Sequence, residues 1–347
     1  MSGGALDTPA GARGKHLVVG AGAVGLLMAS HLAAAGIEVL LVTSDSTKAT
    51  FPDAVCVRSP RVAVGPFSVP TLAQFDGSVD VVWLCTRAQQ IPAALQRVKG
   101  TAAATWIALS NGLVIPLDAP GGATIVRGLV YAEVEREAAG IVRQDSLFAD
   151  IELSVNALDA RGASAIHATA RASVNGLTLT LRDVPENVLV WQKMAMLIPM
   201  ALATCVAAGP MSRVREQPAL ERALFRCADE LVTLSQAAGT PVDGRLVRRR
   251  IRSLPGRSIS SAQRDATSAG RREIIASCRT AVELATRNDV SIDATEGLMS
   301  RVEAQIEQIE KKGGPNDQSY AERDRGRGGD HRYAPRRPVC RRRVRSR

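Results

Sequence analysis

Six residues near the start of the chain, Gly20-Ala21-Gly22-Ala23-Val24-Gly25, lie between a short apolar run at 17–19 and an apolar helix-forming stretch that begins at 26. Glycines at the first, third and sixth positions of a strand–turn–helix are a backbone device. The first permits a tight turn, the second lets main chain approach a pyrophosphate, and the third lets helix pack on strand. The helix N-terminus then directs unpaired N–H groups at the phosphates. The competing reading is an ordinary tight turn in an α/β protein. The context favours a dinucleotide site built from all six residues.

The pattern that follows alternates strand and helix. Strands are expected at 16–19 and 38–42, with a helix over 22–35 stopped by Gly36. Residues 52–70 suit a β-excursion. The continuous apolar runs at 81–85 and 105–109 suit central parallel strands buried on both faces. Further strands are expected within 123–134, 140–143 and 151–155. Beyond Val184 strand signals stop, and 185–208, 218–238, 260–289 and 293–311 read as helices, punctuated by Pro241, Pro255 and Gly256. The expected fold class is therefore α/β. A Rossmann-type dinucleotide-binding domain spans 15–183, and an all-α domain with substrate and catalytic residues spans 184–312. The active site is expected in the cleft between them. Residues 1–14 and 313–347 read as disordered, and 1–14 lack a signal-peptide pattern.

The formal charge of +10 invites a nucleic-acid reading, but its distribution argues against one. From 311 to 347 there are 13 Lys or Arg against 4 acids, whereas the rest of the chain holds 31 against 30. The basicity belongs to the tail, and the body has no electrostatic footprint for a phosphate backbone. That abrupt Arg-rich end also suits a shifted reading frame or an added segment. Six scattered cysteines without a CxxC pair, and histidines without metal spacing, suggest reduced thiols, no metal and a cytoplasmic location. The longest apolar run, 194–208, contains Pro199 and falls short of the roughly 20 residues a membrane span needs. Apolar stripes on the helices suit a homodimer face as well as a core.

The second strand ends at Thr43-Ser44-Asp45. An NAD site usually places an acid at this tip to bond the ribose hydroxyls. Thr43 and Ser44 do not repel a 2′-phosphate, and Lys48 is close enough to attract one. NADP is the expected cofactor, with Asp45 as the opposing feature. Reduction of a ketone by NADPH also needs a proton donor. His16, His31, His167 and His331 are poorly placed. Lys193, at the head of a very apolar helix, is the better candidate, because lost solvation lowers an ammonium pKa towards working pH. The alternative is a lysine that snorkels to solvent.

Several segments together resemble the ketopantoate reductase (2-dehydropantoate 2-reductase) family, over most of residues 15–311. Beside the glycine loop, Cys85-Thr86-Arg87-Ala88-Gln89-Gln90 is similar to the family's VKAxQ segment. Leu109-Ser110-Asn111-Gly112 is similar to its QNG turn, and Trp191-Gln192-Lys193-Met194 to its WxKL. Ser260-Ser261 through Asp265 and Gly270-Arg271-Arg272-Glu273-Ile274 are similar to its SSMxQD…GRxTEID helix. The resemblance implies an NADPH-dependent oxidoreductase acting on a small 2-oxo acid, in the family's case 2-dehydropantoate, a step of pantothenate biosynthesis. It implies Lys193 as general acid and Glu273 as the group that orients it and holds the nascent hydroxyl. Asn111 would sit beside nicotinamide and substrate, and Ser261 would bind the substrate carboxylate. Ser44, Arg87 and Gln90 fall on the cofactor side. From the residues alone, the alternative for Glu273 is a solvated helix residue among Arg271, Arg272 and Arg279, and Ser261 reads equally as a helix cap.

The departures are informative. Ser44 stands where the family carries arginine, and Arg87 replaces a lysine. Leu197 and Ala201 replace asparagines that bond substrate hydroxyls, with Met211 further on, and Ile275 replaces an acid. A desolvated, unpaired hydroxyl costs about 1–3 kcal/mol. A less polar ketone is therefore expected to suit the pocket better than pantoate's precursor. The alternative function is a non-catalytic NADP-binding sensor or scaffold of the same fold.

Overall fold

The computed structural model describes residues 14–52, 54–59, 63–114, 119–146, 149–172, 176–264 and 269–311. The segments expected to be disordered fall outside this set apart from Gly14, as does Asp265.

The chain opens with β1 (Lys15–Val19), α1 (Ala23–Ala34), β2 (Glu38–Val42) and α2 (Asp45–Lys48). A hairpin-like excursion, β3 (Ala54–Arg58) and β4 (Val64–Ser68), leads to β5 (Thr71–Leu72) and β6 (Ser78–Leu84). Then come α3 (Ile91–Gln96), β7 (Ala102–Ala108), β8 (Ile125–Arg127), β9 (Leu129–Tyr131), β10 (Val134–Ala138) and β11 (Ile141–Gln144). The strand-bearing part ends with β12 (Ala149–Ser154), α4 (Ala160–Ala172) and β13 (Leu177–Arg182).

The main sheet has six parallel strands in the order β5-β2-β1-β6-β7-β8. Its centre is apolar on both faces. Val18, Val81 and Ile107 point into a core shared with α1 and the second sheet, while Leu17, Val82 and Trp106 face α3. The excursion over 52–70 joins that second sheet, β10-β11-β3-β4, which packs on α1. A third sheet, β13-β12-β9, leads toward the helices.

From Glu186 onward the described chain is helical: α5 (Glu186–Val206), α6 (Met211–Arg215), α7 (Pro218–Ala237), α8 (Gly244–Ser253), α9 (Ser261–Arg264), α10 (Ala269–Arg287) and α11 (Asp293–Lys311). Three of these differ from expectation, the first being the five-residue α6, which falls between the expected helices. Helix α8 is missed because five of its ten residues are arginine, leaving Val247 and Ile251 as its buried anchors, with Asp243 capping it. The single helix expected over 260–289 comprises α9 and α10. Helix α5 is the hub of this half. By length and composition it is long enough to cross a bilayer, against the sequence reading, because apolar residues before 194 extend the run. Yet 78% of its most apolar stretch is buried inside the protein. It is a core helix, packed against β12, α7, α8, α10 and α11.

Candidate active site

The C-terminal ends of β1, β2, β6 and β7 open into a cleft of about 960 Å³ whose opposite wall is α5, the 254–264 segment and the start of α10. In parallel sheets of this kind, ligands bind beyond the carboxyl ends of the strands.

The glycine loop forms the cleft floor, and its three glycines differ physically. Gly20 has φ +109°, and its N–H bonds the Val42 carbonyl at 2.8 Å. A Cβ there would stand 2.9 Å from Thr86 Cγ2. Gly22 begins α1 without a side-chain cap, and a Cβ on it would meet nothing within 4 Å. That open space, beside uncapped N–H groups of a helix, fits a pyrophosphate. Gly20, Ala21, Gly22, Ala23 and Val24 line the cleft. Gly25, grouped with them from the sequence, does not. It is buried behind the loop, where a Cβ would lie 1.8 Å from the Gly20 carbonyl oxygen, so it sets how closely α1 approaches β1.

Ser44, Arg87 and Gln90 also line the cleft. Ser44 caps α2, accepting from the Thr47 N–H at 3.3 Å. Gln90 Oε1 accepts from the Arg87 N–H at 3.2 Å, and Arg87 Nε lies 3.6 Å from Glu273 Oε2. Asn111 follows β7 on a turn whose Gly112 has φ +143°. Arg127 clamps that turn, donating to the carbonyls of Gly112 at 2.6 Å and Leu113 at 2.8 Å.

Lys193 comes to this turn from α5. It is 4% exposed, and its Nζ donates to Asn111 Oδ1 at 2.7 Å and lies 5.4 Å from the centroid of the Tyr131 ring. The snorkelling alternative does not hold. Burial pushes its pKa down to about 7, with Arg127 adding repulsion, while Glu152 and Glu273 oppose the shift. Glu273 is in the cleft, as expected from the sequence. The hydrogen bond that positions the ammonium comes from Asn111, however, and Glu273 acts on it through its charge. Such a lysine is poised to give up a proton near neutral pH.

Ser261 lines the cleft, and the capping role belongs to its neighbour. Ser260 Oγ accepts from the Gln263 N–H at 3.1 Å and lies 2.7 Å from Thr204 Oγ1, tying α9 to α5. Of the apolar replacements, only Leu197 faces the cleft, together with Met196 and Met200. These sit three, four and seven residues beyond Lys193, one stripe of α5. Ala201 and Ile275 are buried in the helical core and do not line the cleft.

Tyr131 lines the cleft, and Arg127, Glu152 and Arg250 act on its lining from outside; all four are absent from the sequence reading. The Tyr131 hydroxyl accepts from Arg250 Nη1 at 3.1 Å, and burial raises its pKa. Arg250 lies 3.5 Å from Glu152, which also pairs with Arg182 at 2.7 Å. A signal was there: Arg127 and Glu152 are charges inside apolar strands, and a buried charge needs a partner.

Comparison with known proteins agrees with this fold. The family model described as ketopantoate reductase PanE/ApbA matches residues 16–156, and that of the PanE/ApbA C terminal matches 188–307. Similar solved structures include a PanE/ApbA family ketopantoate reductase from Ralstonia eutropha JMP134. It has 19% identity and a TM-score of 0.71, with 85% of this chain and 99% of that one covered. A D-mandelate dehydrogenase in complex with NADH and anilino(oxo)acetate is 17% identical, with a TM-score of 0.72 and the same coverage. A dimeric ketopantoate reductase from Staphylococcus aureus is 14% identical, with a TM-score of 0.67 and again the same coverage. No curated protein sequence matches the chain. With family models covering both the sheet-bearing and the helical parts, the chain belongs to the ketopantoate reductase PanE/ApbA family.

Proposed function

We propose that this protein reduces a 2-oxo acid with NADPH, Lys193 giving its proton to the ketone oxygen. The observation that carries the reading is Lys193 itself: a buried ammonium, held 2.7 Å from Asn111 in the same cleft as the glycine loop. The nicotinamide supplies the hydride when bound. The chain supplies the rest. Lys193 binds the carbonyl oxygen and protonates it as negative charge develops there. Asn111 orients Lys193 from the turn after β7. Glu273, paired with Arg87 at the mouth, holds the product hydroxyl and favours return of a proton to Lys193. Ser261 receives the substrate carboxylate. Free thiols at Cys56, Cys85, Cys205, Cys227 and Cys278 support a reducing, cytoplasmic setting. The dimeric relative supports a homodimer.

The substrate side chain would rest on Met196, Leu197 and Met200. An apolar or aromatic 2-oxo acid is thus a better match than the dihydroxylated framework of a pantoate precursor, and the complex of D-mandelate dehydrogenase with anilino(oxo)acetate supports this. Purified protein mixed with NADPH and a panel of 2-oxo acids tests it through loss of nicotinamide absorbance. Branched aliphatic or aromatic acids are expected to exceed 2-dehydropantoate in kcat/KM by about tenfold or more. Leu197→Asn is expected to narrow that gap. A preference for 2-dehydropantoate would overturn the apolar assignment. Tight NADPH binding without turnover on any acid would favour the sensor or scaffold reading.

A further inference from the structure

Three guanidinium groups line the cleft and take no part in the reduction described above: Arg136 of β10, Arg257 of the 254–264 segment and Arg264 at the end of α9. Arg264 brings the other two together. Its Nη1 donates to the Val134 carbonyl at 3.2 Å and its Nη2 to the Ile259 carbonyl at 3.4 Å, so it bridges β10 and the 254–264 segment. Arg136 lies two residues beyond Val134 on one face of β10, and Arg257 two residues before Ile259. Both are exposed, and neither side chain has a hydrogen bond or ion pair among the described residues. Glu135 and Glu137, which flank Arg136, lie outside the cleft and pair with Arg143 and Arg58. Glu133, next to Val134, is the acid beside the three arginines. Ser258 gives an independent sign of a ligand. It is 2% exposed and lines the cleft, and its Oγ has no hydrogen-bond partner among the described residues. Its backbone is pinned, the N–H donating to the Pro255 carbonyl at 2.9 Å and the carbonyl accepting from the Met211 N–H at 2.9 Å. A buried hydroxyl left unpaired costs about 1–3 kcal/mol, which a ligand oxygen would recover.

The apolar stripe of α5 leads to this cluster. It runs from Lys193 to Met200, about 10 Å along the helix. One turn further on, Thr204 Oγ1 lies 2.7 Å from Ser260 Oγ, which belongs to the 254–264 segment. A 2-oxo acid whose ketone meets Lys193 and whose chain lies on the stripe directs its far end at the arginines. Guanidinium groups grip carboxylate and phosphate oxygens through paired, charge-assisted hydrogen bonds. We propose that Arg136, Arg257 and Arg264, with the Ser258 hydroxyl, bind a second anionic group at the far end of the substrate. The substrate class is then a 2-oxo acid with an apolar middle and a distal carboxylate or phosphate. The proposal rests on the 2-oxo acid reading of the site.

Pairs of 2-oxo acids that differ only at the far end isolate this subsite. 2-Oxoadipate against 2-oxohexanoate is one such pair, and the series from 2-oxoglutarate to 2-oxosuberate varies the length. With NADPH and the full chain, the distal carboxylate is expected to raise kcat/KM by roughly tenfold to hundredfold at the best-fitting length, the scale of one or two charge-assisted hydrogen bonds. The gain is expected mainly in KM. 2-Oxo-5-phosphonopentanoate separates the two sources of the anion: a gain above that of 2-oxoadipate assigns the subsite to a phosphate, and a smaller gain to a carboxylate. The double variant Arg136→Gln, Arg257→Gln removes no contact made within the described fold, and is expected to bring the ratio within about threefold of one. A ratio near one at every length, an unmoved ratio in the double variant, or a gain that is the same at every length and so reflects only general attraction of anions, overturns the proposal. Turnover with equal rates for both members of every pair would remove this subsite while leaving the reductase standing. If no acid turns over, calorimetry of the same pairs on the NADPH-loaded protein decides: a preference for the distal anion keeps the subsite although the reductase reading fails, and equal affinities overturn both.

Discussion

Lys193→Met is expected to lower kcat/KM for 2-oxo acid reduction by about 10³-fold, within the range general acids contribute, while making the protein more stable. The two effects share one cause. An ammonium 4% exposed among apolar residues is poorly solvated, and its pKa falls from 10.5 to about 7. In the unaltered enzyme the reactive form is protonated, so kcat/KM is expected to fall about tenfold per pH unit above roughly 7. The stability effect has the opposite sign. Between pH 7 and 10.5 the unfolded chain holds a proton at this lysine that the folded chain releases, so the burden on folding fades as pH rises. Below pH 7 both states are protonated and the burden is full. Methionine removes it, and a gain of about 1–4 kcal/mol is expected at neutral pH, shrinking towards pH 10.5. Steady-state rates across pH and urea unfolding at pH 7 and 10 measure both. Turnover within tenfold of the unaltered enzyme would remove Lys193 as the donor.

Gly25→Ala and Gly22→Ala are expected to fail in different ways. A methyl at 25 would be 1.8 Å from the Gly20 carbonyl oxygen, a backbone atom that cannot turn away. Either α1 shifts off the sheet or the loop opens, at a cost of about 3 kcal/mol in unfolding free energy, read as a lowered urea midpoint. A methyl at 22 meets no protein atom within 4 Å, and φ there is an ordinary −80°. This variant is expected to fold with at most about 1 kcal/mol lost, yet to bind NADPH at least tenfold more weakly, because the methyl enters the space read as the pyrophosphate's. Nicotinamide fluorescence measures the affinity. Gly22→Ala protein that binds NADPH as tightly as the parent would show that the loop is a turn and not a cradle.

Much of this was legible along the chain because backbone rules are local. The strand–turn–helix around Gly20, the stop at Gly36 with φ +74° and the buried runs of β6 and β7 all follow from short-range sterics and hydrophobic pattern. The arginine-rich α8 did not follow, because its helicity comes from packing two residues, Val247 and Ile251, onto the bundle. Ser261 and Ser260 could not be told apart either, since which serine caps and which faces the cleft depends on the Thr204 hydroxyl of another helix.

The sequence by itself determined that a glycine-rich strand–turn–helix, a lone lysine in an apolar helix and an asparagine–glycine turn exist. These are matters of glycine geometry and hydrophobic periodicity. Only the tertiary structure decided that Lys193 meets Asn111, that Arg127 holds that turn, and that Leu197 faces the cleft while Ala201 does not. It also decided that Arg264 reaches the Val134 carbonyl of β10, 130 residues away in the chain. Charge and burial act through space, and a residue's pKa or ligand is set by whichever side chains the fold brings within a few ångströms.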